Sequence, residues 1–71
     1  MLTLQINGQS RTLDIPPGAT LDKVLEALTI KPDRVAVERN GIIAPRSSWA
    51  TTVVVTGDRL EIVHFVGGGA N

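Results

Sequence analysis

The chain has 71 residues, no cysteine, and seven basic residues against seven acidic ones. A chain of this length forms one domain with a small core and has no room for an enclosed active site. The lack of cysteine excludes disulfides, a thiolate nucleophile and a cysteine-based zinc site, and the balanced, scattered charges argue against a nucleic-acid partner.

The first two predicted strands form a hairpin. Apolar and polar residues alternate in LTLQI, and the alternation resumes in RTLDI. Asn7 and Gly8 lie between these runs, and this dipeptide tolerates the positive φ values of a tight turn. Residues 2–15 are therefore predicted to form a β-hairpin, which the following Pro-Pro-Gly sequence ends.

A short helix is predicted next. Thr20 is a plausible N-cap, and Pro32 lies beyond the end of the helix, where it cannot continue it. A single apolar stripe at helical spacing is formed by Leu21, Val24, Leu25 and Leu28.

Three more strands are predicted in the second half of the chain. VAVER alternates, and a second Asn-Gly turn at residues 40–41 leads into a brief strand at residues 42–43. Trp49 is expected to pack a loop onto the core, whereas the role of Arg46 stays open. The last strand, RLEIVHF, places Leu60 and Ile62 on one face, and on the other Glu61, Val63 and Phe65.

The order β-β-α-β-β-β predicts an α+β domain of the β-grasp type. One helix packs on one face of a mixed four- to five-stranded sheet. Residues 1–66 are assigned to this domain and residues 67–71 to a flexible glycine-rich tail. The other sheet face stays uncovered, and an apolar patch there, which is a candidate partner-docking surface, is expected from Val63, Phe65 and Ala36.

The sequence offers no recognisable catalytic or metal-binding constellation. The single histidine, His64, is expected to be a partly buried structural residue near the sheet edge, on the same side as Leu60 and Ile62. The carboxylates are expected to be solvated surface charges, with no pair spaced for acid-base catalysis: Asp14, Asp22, Glu26, Asp33, Glu38, Asp58 and Glu61. We therefore expect a chain that is not an enzyme, with no metal site.

The sequence also lacks membrane and secretion signals. The N-terminal stretch has no basic region followed by a long apolar one, and no run approaches the roughly 20 apolar residues of a transmembrane span. We expect a soluble, cytoplasmic protein without a membrane partner.

The glycines near the end of the sequence are its chemically distinctive feature. Gly67, Gly68 and Gly69 have no side chains, so this segment can thread as extended backbone into a narrow channel of a partner. ATP-dependent activation of a glycine carboxylate there, as an acyl-adenylate, would expose its carbonyl to attack by sulfur or an amine. An inert flexible tail is the alternative.

Four segments resemble the ThiS family: LTLQINGQ, VAVERNG, PRSSWA and TGDRLEIVHFVGGG, in this order and over essentially the whole chain. The family comprises bacterial sulfur carriers of thiamine biosynthesis, which are ubiquitin-like β-grasp proteins related to MoaD. The resemblance implies a thiocarboxylate at Gly69, with Gly68 as the alternative. It also implies a ThiF-like adenylyltransferase that uses ATP, a cysteine desulfurase or other sulfur donor system, and a ThiG-like thiazole synthase that receives the sulfur. The carrier itself binds no cofactor.

Ala70 and Asn71 depart from the family pattern, which finishes on its glycines. A peptidase removes them, or they extend an otherwise ordinary carrier, or the chain is a relative with an altered activation step. We expect removal, which exposes Gly69. The functional alternatives are a carrier for molybdopterin or another metabolite, a ubiquitin-like protein modifier, and a β-grasp interaction module.

Overall fold

Five strands and one helix follow one another in residues 1–65, the part of the chain that the computed structural model describes. Two single-turn 3₁₀ helices, Pro32–Arg34 and Arg46–Ser48, flank the second hairpin. The β-β-α-β-β-β order predicted from the sequence is confirmed. The bounds of the elements are β1 Leu2–Ile6, β2 Gln9–Leu13, α1 Leu21–Ala27, β3 Val35–Arg39, β4 Ile42–Ala44 and β5 Arg59–His64.

The strands form one mixed sheet in the order β2-β1-β5-β3-β4. β1 and β5 run parallel, with Gln5 opposite Arg59 and Ile6 opposite Leu60. The remaining neighbours are antiparallel. The predicted mixed sheet is therefore confirmed, and β5 is its central strand.

Two Asn-Gly turns close the hairpins β1-β2 and β3-β4. The φ angles are 51° at Asn7 and 82° at Gly8, and 54° at Asn40 and 85° at Gly41. Positive φ at both central residues is the type I′ geometry, whose twist matches that of the flanking strands. The local dipeptide thus fixes the register of each hairpin.

α1 covers one face of the sheet through its apolar stripe. Leu21, Val24 and Leu25 are buried, and they share the core cluster with the alternating residues of the sheet. Each fully buried leucine or valine contributes about 1.5–3 kcal/mol relative to an exposed one. We call the sheet face covered by α1 the inner face and the opposite one the outer face.

Each end of α1 lacks either the usual capping contact or the usual capping residue. Thr20 occupies the N-cap position, but its hydroxyl donates to the carboxylate of Asp22 instead of accepting from a helix N–H. At the other end the N–H of Ile30 donates to the carbonyl of Leu25 at 2.9 Å, and Thr29 has a φ of 60°. This is a Schellman ending with threonine where glycine is usual.

A corner built on Trp49 supports the second hairpin. Trp49 is 4% exposed, and its indole N–H donates to the carbonyl of Ala44 at 2.8 Å, so its predicted packing is confirmed. The guanidinium of Arg46 lies 5.1 Å from the centre of the indole ring. It also donates to the carbonyls of Pro32 and Val35. Arg46 therefore ties this corner to the start of β3.

Candidate functional site

The predicted reactive glycines lie outside the described residues. Gly67, Gly68 and Gly69, like Ala70 and Asn71, follow Phe65, the last residue that the structure describes. The predicted boundary between a domain of residues 1–66 and a tail of residues 67–71 falls there too and stays a prediction. The structure does describe β5, the strand that leads to the glycines.

Asn7 holds the middle of β5. Its Nδ2 donates to the carbonyl of Ile62 at 3.1 Å, and the N–H of Ile62 donates to its Oδ1 at 2.7 Å. Since β1 ends at Ile6, the carboxamide replaces the backbone pair that a longer β1 would have offered. A side chain thus extends the parallel pairing of β1 and β5.

Asn40 and Asp58 hold the start of β5. The N–H of Arg59 donates to Asn40 Oδ1 at 2.9 Å. Asn40 Nδ2 donates to Asp58 Oδ1 at 3.1 Å. Arg39 Nε and the N–H of Val55 donate to the other carboxylate oxygen at 2.9 and 3.0 Å. The start of β5 is thereby joined to the second Asn-Gly turn.

The expectation that Asp58 is a solvated surface charge is wrong. The residue is 5% exposed, because the turn before β5 folds its carboxylate inward onto these donors. Burial raises the pKa of Asp58, but the hydrogen bonds from Val55, Asn40 and Arg39 favour the ionised form more strongly, so the pKa lies below its ordinary value.

The expectation for His64 is also wrong. The residue is exposed, and it belongs to the central strand, where it lies opposite Val35. It comes after Ile62, the last buried residue of β5, so alternation assigns it to the inner face at a position that the core does not cover. The next residue, Phe65, donates its N–H to the carbonyl of Arg34 at 2.8 Å. This bond fixes the backbone of Phe65, two positions before Gly67 in the sequence.

The residues predicted to form an apolar patch lie at this end of β5. Ala36 is directly opposite Val63. Val63 is 58% exposed and Phe65 is 55% exposed, whereas Ala36 is half-buried. The arrangement provides an apolar surface at the end of β5, the strand that precedes the glycines in the sequence. Partner docking at these residues stays a prediction.

Residues 1–65 contain no group of three or more His, Asp or Glu side chains that could hold a metal ion. No helix in that range is long and apolar enough to cross a membrane. A surface cavity of about 500 Å³ lies between residues 15–19 and α1. Its charged lining residues, Lys23 and Glu26, form an exposed ion pair at 3.9 Å.

Sequence reasoning missed the side chains that hold β5. It used the Asn-Gly dipeptides only as turn signals, although asparagine carries both a donor and an acceptor that can bond to a neighbouring strand. The Thr-Gly-Asp turn held a second signal, since an aspartate at a turn commonly bonds to nearby backbone N–H groups. Neither signal identifies the partner strand.

The chain is similar in sequence to a known family and to two named proteins. A model of the ThiS family matches residues 4–69. The protein named thiazole synthase of Paramagnetospirillum magneticum is 43% identical over 70 residues, which are 99% of this chain and 21% of that protein. The sulfur carrier protein ThiS of Escherichia coli is 29% identical over 66 residues, which are 93% of this chain and 100% of that protein. The chain therefore spans about a fifth of the thiazole synthase and matches the carrier over its full length.

A solved structure has the same architecture. The crystal structure of a thiamine biosynthesis protein (ThiS) from Geobacter metallireducens superposes with a TM-score of 0.82 at 33% identity, covering 96% of this chain and 100% of that one. The predicted β-grasp fold is therefore confirmed.

Proposed function

The chain belongs to the ThiS family, and we propose from this premise that it is a sulfur carrier for thiazole formation in thiamine biosynthesis. The observation that carries the proposal is the extent of the family match, which runs through the glycines and ends at Gly69. In this role the chain is a protein co-substrate, and the catalytic groups belong to its partners.

The proposed reactive group is the carboxylate of Gly69. In a ThiF-like adenylyltransferase a carboxylate oxygen attacks the α-phosphorus of ATP, so that an acyl-adenylate forms and pyrophosphate leaves. The terminal sulfur of a persulfide supplied by a cysteine desulfurase then attacks the carbonyl carbon, and AMP leaves. A thiol of the delivery system cleaves the resulting S–S bond and releases the thiocarboxylate.

A free carboxylate at Gly69 requires hydrolysis of the bond between Gly69 and Ala70. We propose that a peptidase performs this step before activation. Cleavage one residue earlier, after Gly68, is the alternative. Glycine at the new terminus favours activation for two reasons. The missing Cβ lets the segment enter a narrow channel, and it leaves the carbonyl carbon accessible to the attacking sulfur.

The proposed sulfur acceptor system is a ThiG-like thiazole synthase. Proteins of that name from Paramagnetospirillum magneticum and Magnetococcus marinus contain a region similar to 99% and 96% of this chain. Joining a carrier-like region to a synthase raises the effective concentration of one for the other. The two functions therefore fit a common reaction sequence, in which the synthase consumes the sulfur that the carrier holds.

Intact-mass measurement of the chain from cells grown without thiamine tests the proposal. The expected species ends at Gly69 and carries one sulfur in place of one carboxylate oxygen. Recovery of the chain only with the Gly69–Ala70 bond intact, under conditions in which the cells make thiamine, would contradict both the cleavage and the carrier role.

A substitution in the glycine segment tests the threading step. In a chain that ends at residue 69, Gly69→Val is expected to abolish ATP–pyrophosphate exchange by the adenylyltransferase. Its urea unfolding curve should match that of the unsubstituted chain, because the buried hydrophobic residues of the described region lie between Leu2 and Ile62. Ala27→Val, at an exposed position of α1, is the control that should keep normal exchange. Normal exchange by Gly69→Val would exclude a threaded tail.

A further inference from the structure

Two acidic residues face each other on the outer face of the sheet. Glu38 in β3 is directly opposite Glu61 in β5, and both are exposed. Side chains in this relation have Cβ atoms about 4.5–5.5 Å apart, and like charges there destabilise a sheet. Among residues 1–65 neither glutamate takes part in a salt bridge. The pair therefore has no stabilising role that the described chain reveals.

Apolar residues border the pair. Ile43 of β4 lies opposite Glu38 and is 68% exposed, and Ala36 and Val63 form the next row of the same face. Arg59 lies two positions from Glu61 along β5, yet no salt bridge joins them within residues 1–65. We call the surface formed by Ala36, Glu38, Ile43, Glu61 and Val63 the acidic docking face.

The acidic docking face includes Glu61 and Val63 of β5, the strand that precedes Gly69 in the sequence. The backbone of Phe65 is fixed to Arg34 by a hydrogen bond of 2.8 Å. From Phe65 to Gly69 the chain advances by four residues, which span at most about 14 Å when fully extended. An enzyme that holds the Gly69 carboxylate in its active site must therefore come within about 14 Å of Phe65, and Glu61 lies four positions before Phe65 on the same strand.

We infer that the opposed pair Glu38 and Glu61 is a recognition element for a lysine or arginine on the adenylyltransferase that activates Gly69; this inference rests on the proposed function. A cation that docks between the two carboxylates removes their mutual repulsion and gains attraction to both. The pair thus destabilises the free chain and favours the complex. The apolar residues around it supply buried area, whereas the charges steer the encounter and select a basic partner surface.

Neutral variants of a chain ending at residue 69 test this inference. With the ThiF-like enzyme as probe, Glu38→Gln and Glu61→Gln should each slow association at low salt by about threefold to tenfold and flatten its salt dependence. Each should also raise the Tm of the free chain by about 1–5 °C, since the like-charge contact is lost. Glu26→Gln is the matched control, because it removes one exposed carboxylate from α1, on the opposite side of the sheet. It should change neither the association rate nor its salt dependence.

The experiment distinguishes failure of this inference from failure of the proposed function. If the two neutral variants associate like the control with an enzyme that binds the unsubstituted chain, the recognition role of the pair is wrong. Val63→Asp then reports on the rest of the surface, and unchanged affinity would remove the whole acidic docking face from the complex. Failure of the proposed function shows differently, as no pyrophosphate exchange by the enzyme with the unsubstituted chain.

Discussion

Asn7 and Asn40 each combine a turn conformation with a side-chain bond to the central strand. Both have positive φ, a region that asparagine enters more readily than most residues. Their carboxamides bond to the backbone of Ile62 and Arg59. A glycine would supply the conformation without the bonds, and a larger side chain would not supply the conformation. The two turns therefore fix β5 as well as their own hairpins.

Asn7→Asp separates these two roles. Aspartate tolerates the same φ and can still accept from the N–H of Ile62, but it places a carboxylate oxygen against the carbonyl of Ile62 in place of the Nδ2 donor. We expect a loss of about 1–3 kcal/mol in the free energy of unfolding in urea at pH 7. Gln5→Glu makes the same chemical change at an exposed position and should alter it by less than about 0.5 kcal/mol. Equal effects of the two substitutions would show that the carboxamide bonds contribute nothing.

Asp58 makes the stability dependent on pH. Its pKa is lower in the folded chain than in the unfolded one, so its contribution is present above the unfolded pKa of about 3.9 and is lost as the pH falls through the folded pKa. Asp58→Asn should cost about 1–3 kcal/mol at pH 7, and this difference should shrink below about pH 4. Urea unfolding at several pH values measures this difference in the free energy of unfolding.

Asp14→Asn is the control for this pH series. Asp14 is exposed, and the substitution should leave the free energy of unfolding within about 0.5 kcal/mol of the original at each pH. A loss in Asp58→Asn that stays constant from pH 7 to strongly acidic conditions would contradict the assignment, since it would not depend on ionisation.

At the scale of elements, the backbone is strained just after the C-terminal end of α1. Thr29 has a φ of 60°, and for an L-residue this region costs roughly 1–2 kcal/mol. Thr29→Gly removes that strain but adds backbone entropy to the unfolded chain, so we expect a net gain of about 0.5–1 kcal/mol in thermal unfolding. Thr12→Gly, within β2, should instead destabilise. Destabilisation by Thr29→Gly would show that the threonine side chain contributes more than its backbone costs.

The elements could be predicted where their signals are local. Alternation and the two Asn-Gly dipeptides are enough for both hairpins, and the spacing of Leu21, Val24 and Leu25 is enough for α1. The position of β5 between β1 and β3 could not be predicted in the same way, because it depends on pairs such as Gln5 and Arg59 that are distant in sequence.

The same limit explains the two wrong burial predictions. Alternation assigned His64 to a face of the sheet but did not show that the core ends before it. For Asp58 the contact with Val55 is local, but those with Arg39 and Asn40 come from residues 19 and 18 positions earlier in the chain. At the candidate site the sequence predicted which apolar residues share the outer face, but not that Glu38 and Glu61 are opposed.

At the scale of the whole molecule, the core is so small that one residue can decide whether the chain folds. Leu60 is completely buried, and its truncation to alanine should cost about 2–5 kcal/mol. A core of this size supplies roughly 3–5 kcal/mol in total. We therefore expect Leu60→Ala to be largely unfolded at 37 °C by circular dichroism. Val63→Ala, at an exposed position, should unfold near the original Tm, and a similar Tm for Leu60→Ala would contradict a single cooperative core.

The central position of β5 has a consequence for the synthesis of the protein. In the sheet of residues 1–65, β5 is the strand that joins the β1-β2 hairpin to the β3-β4 hairpin. A nascent chain that has not yet reached Arg59 has two hairpins whose open edges lack a common neighbour. The strand that completes the sheet is also the strand that precedes the glycines in the sequence. The sheet of residues 1–65 is therefore complete only when the last of its strands in sequence has been made.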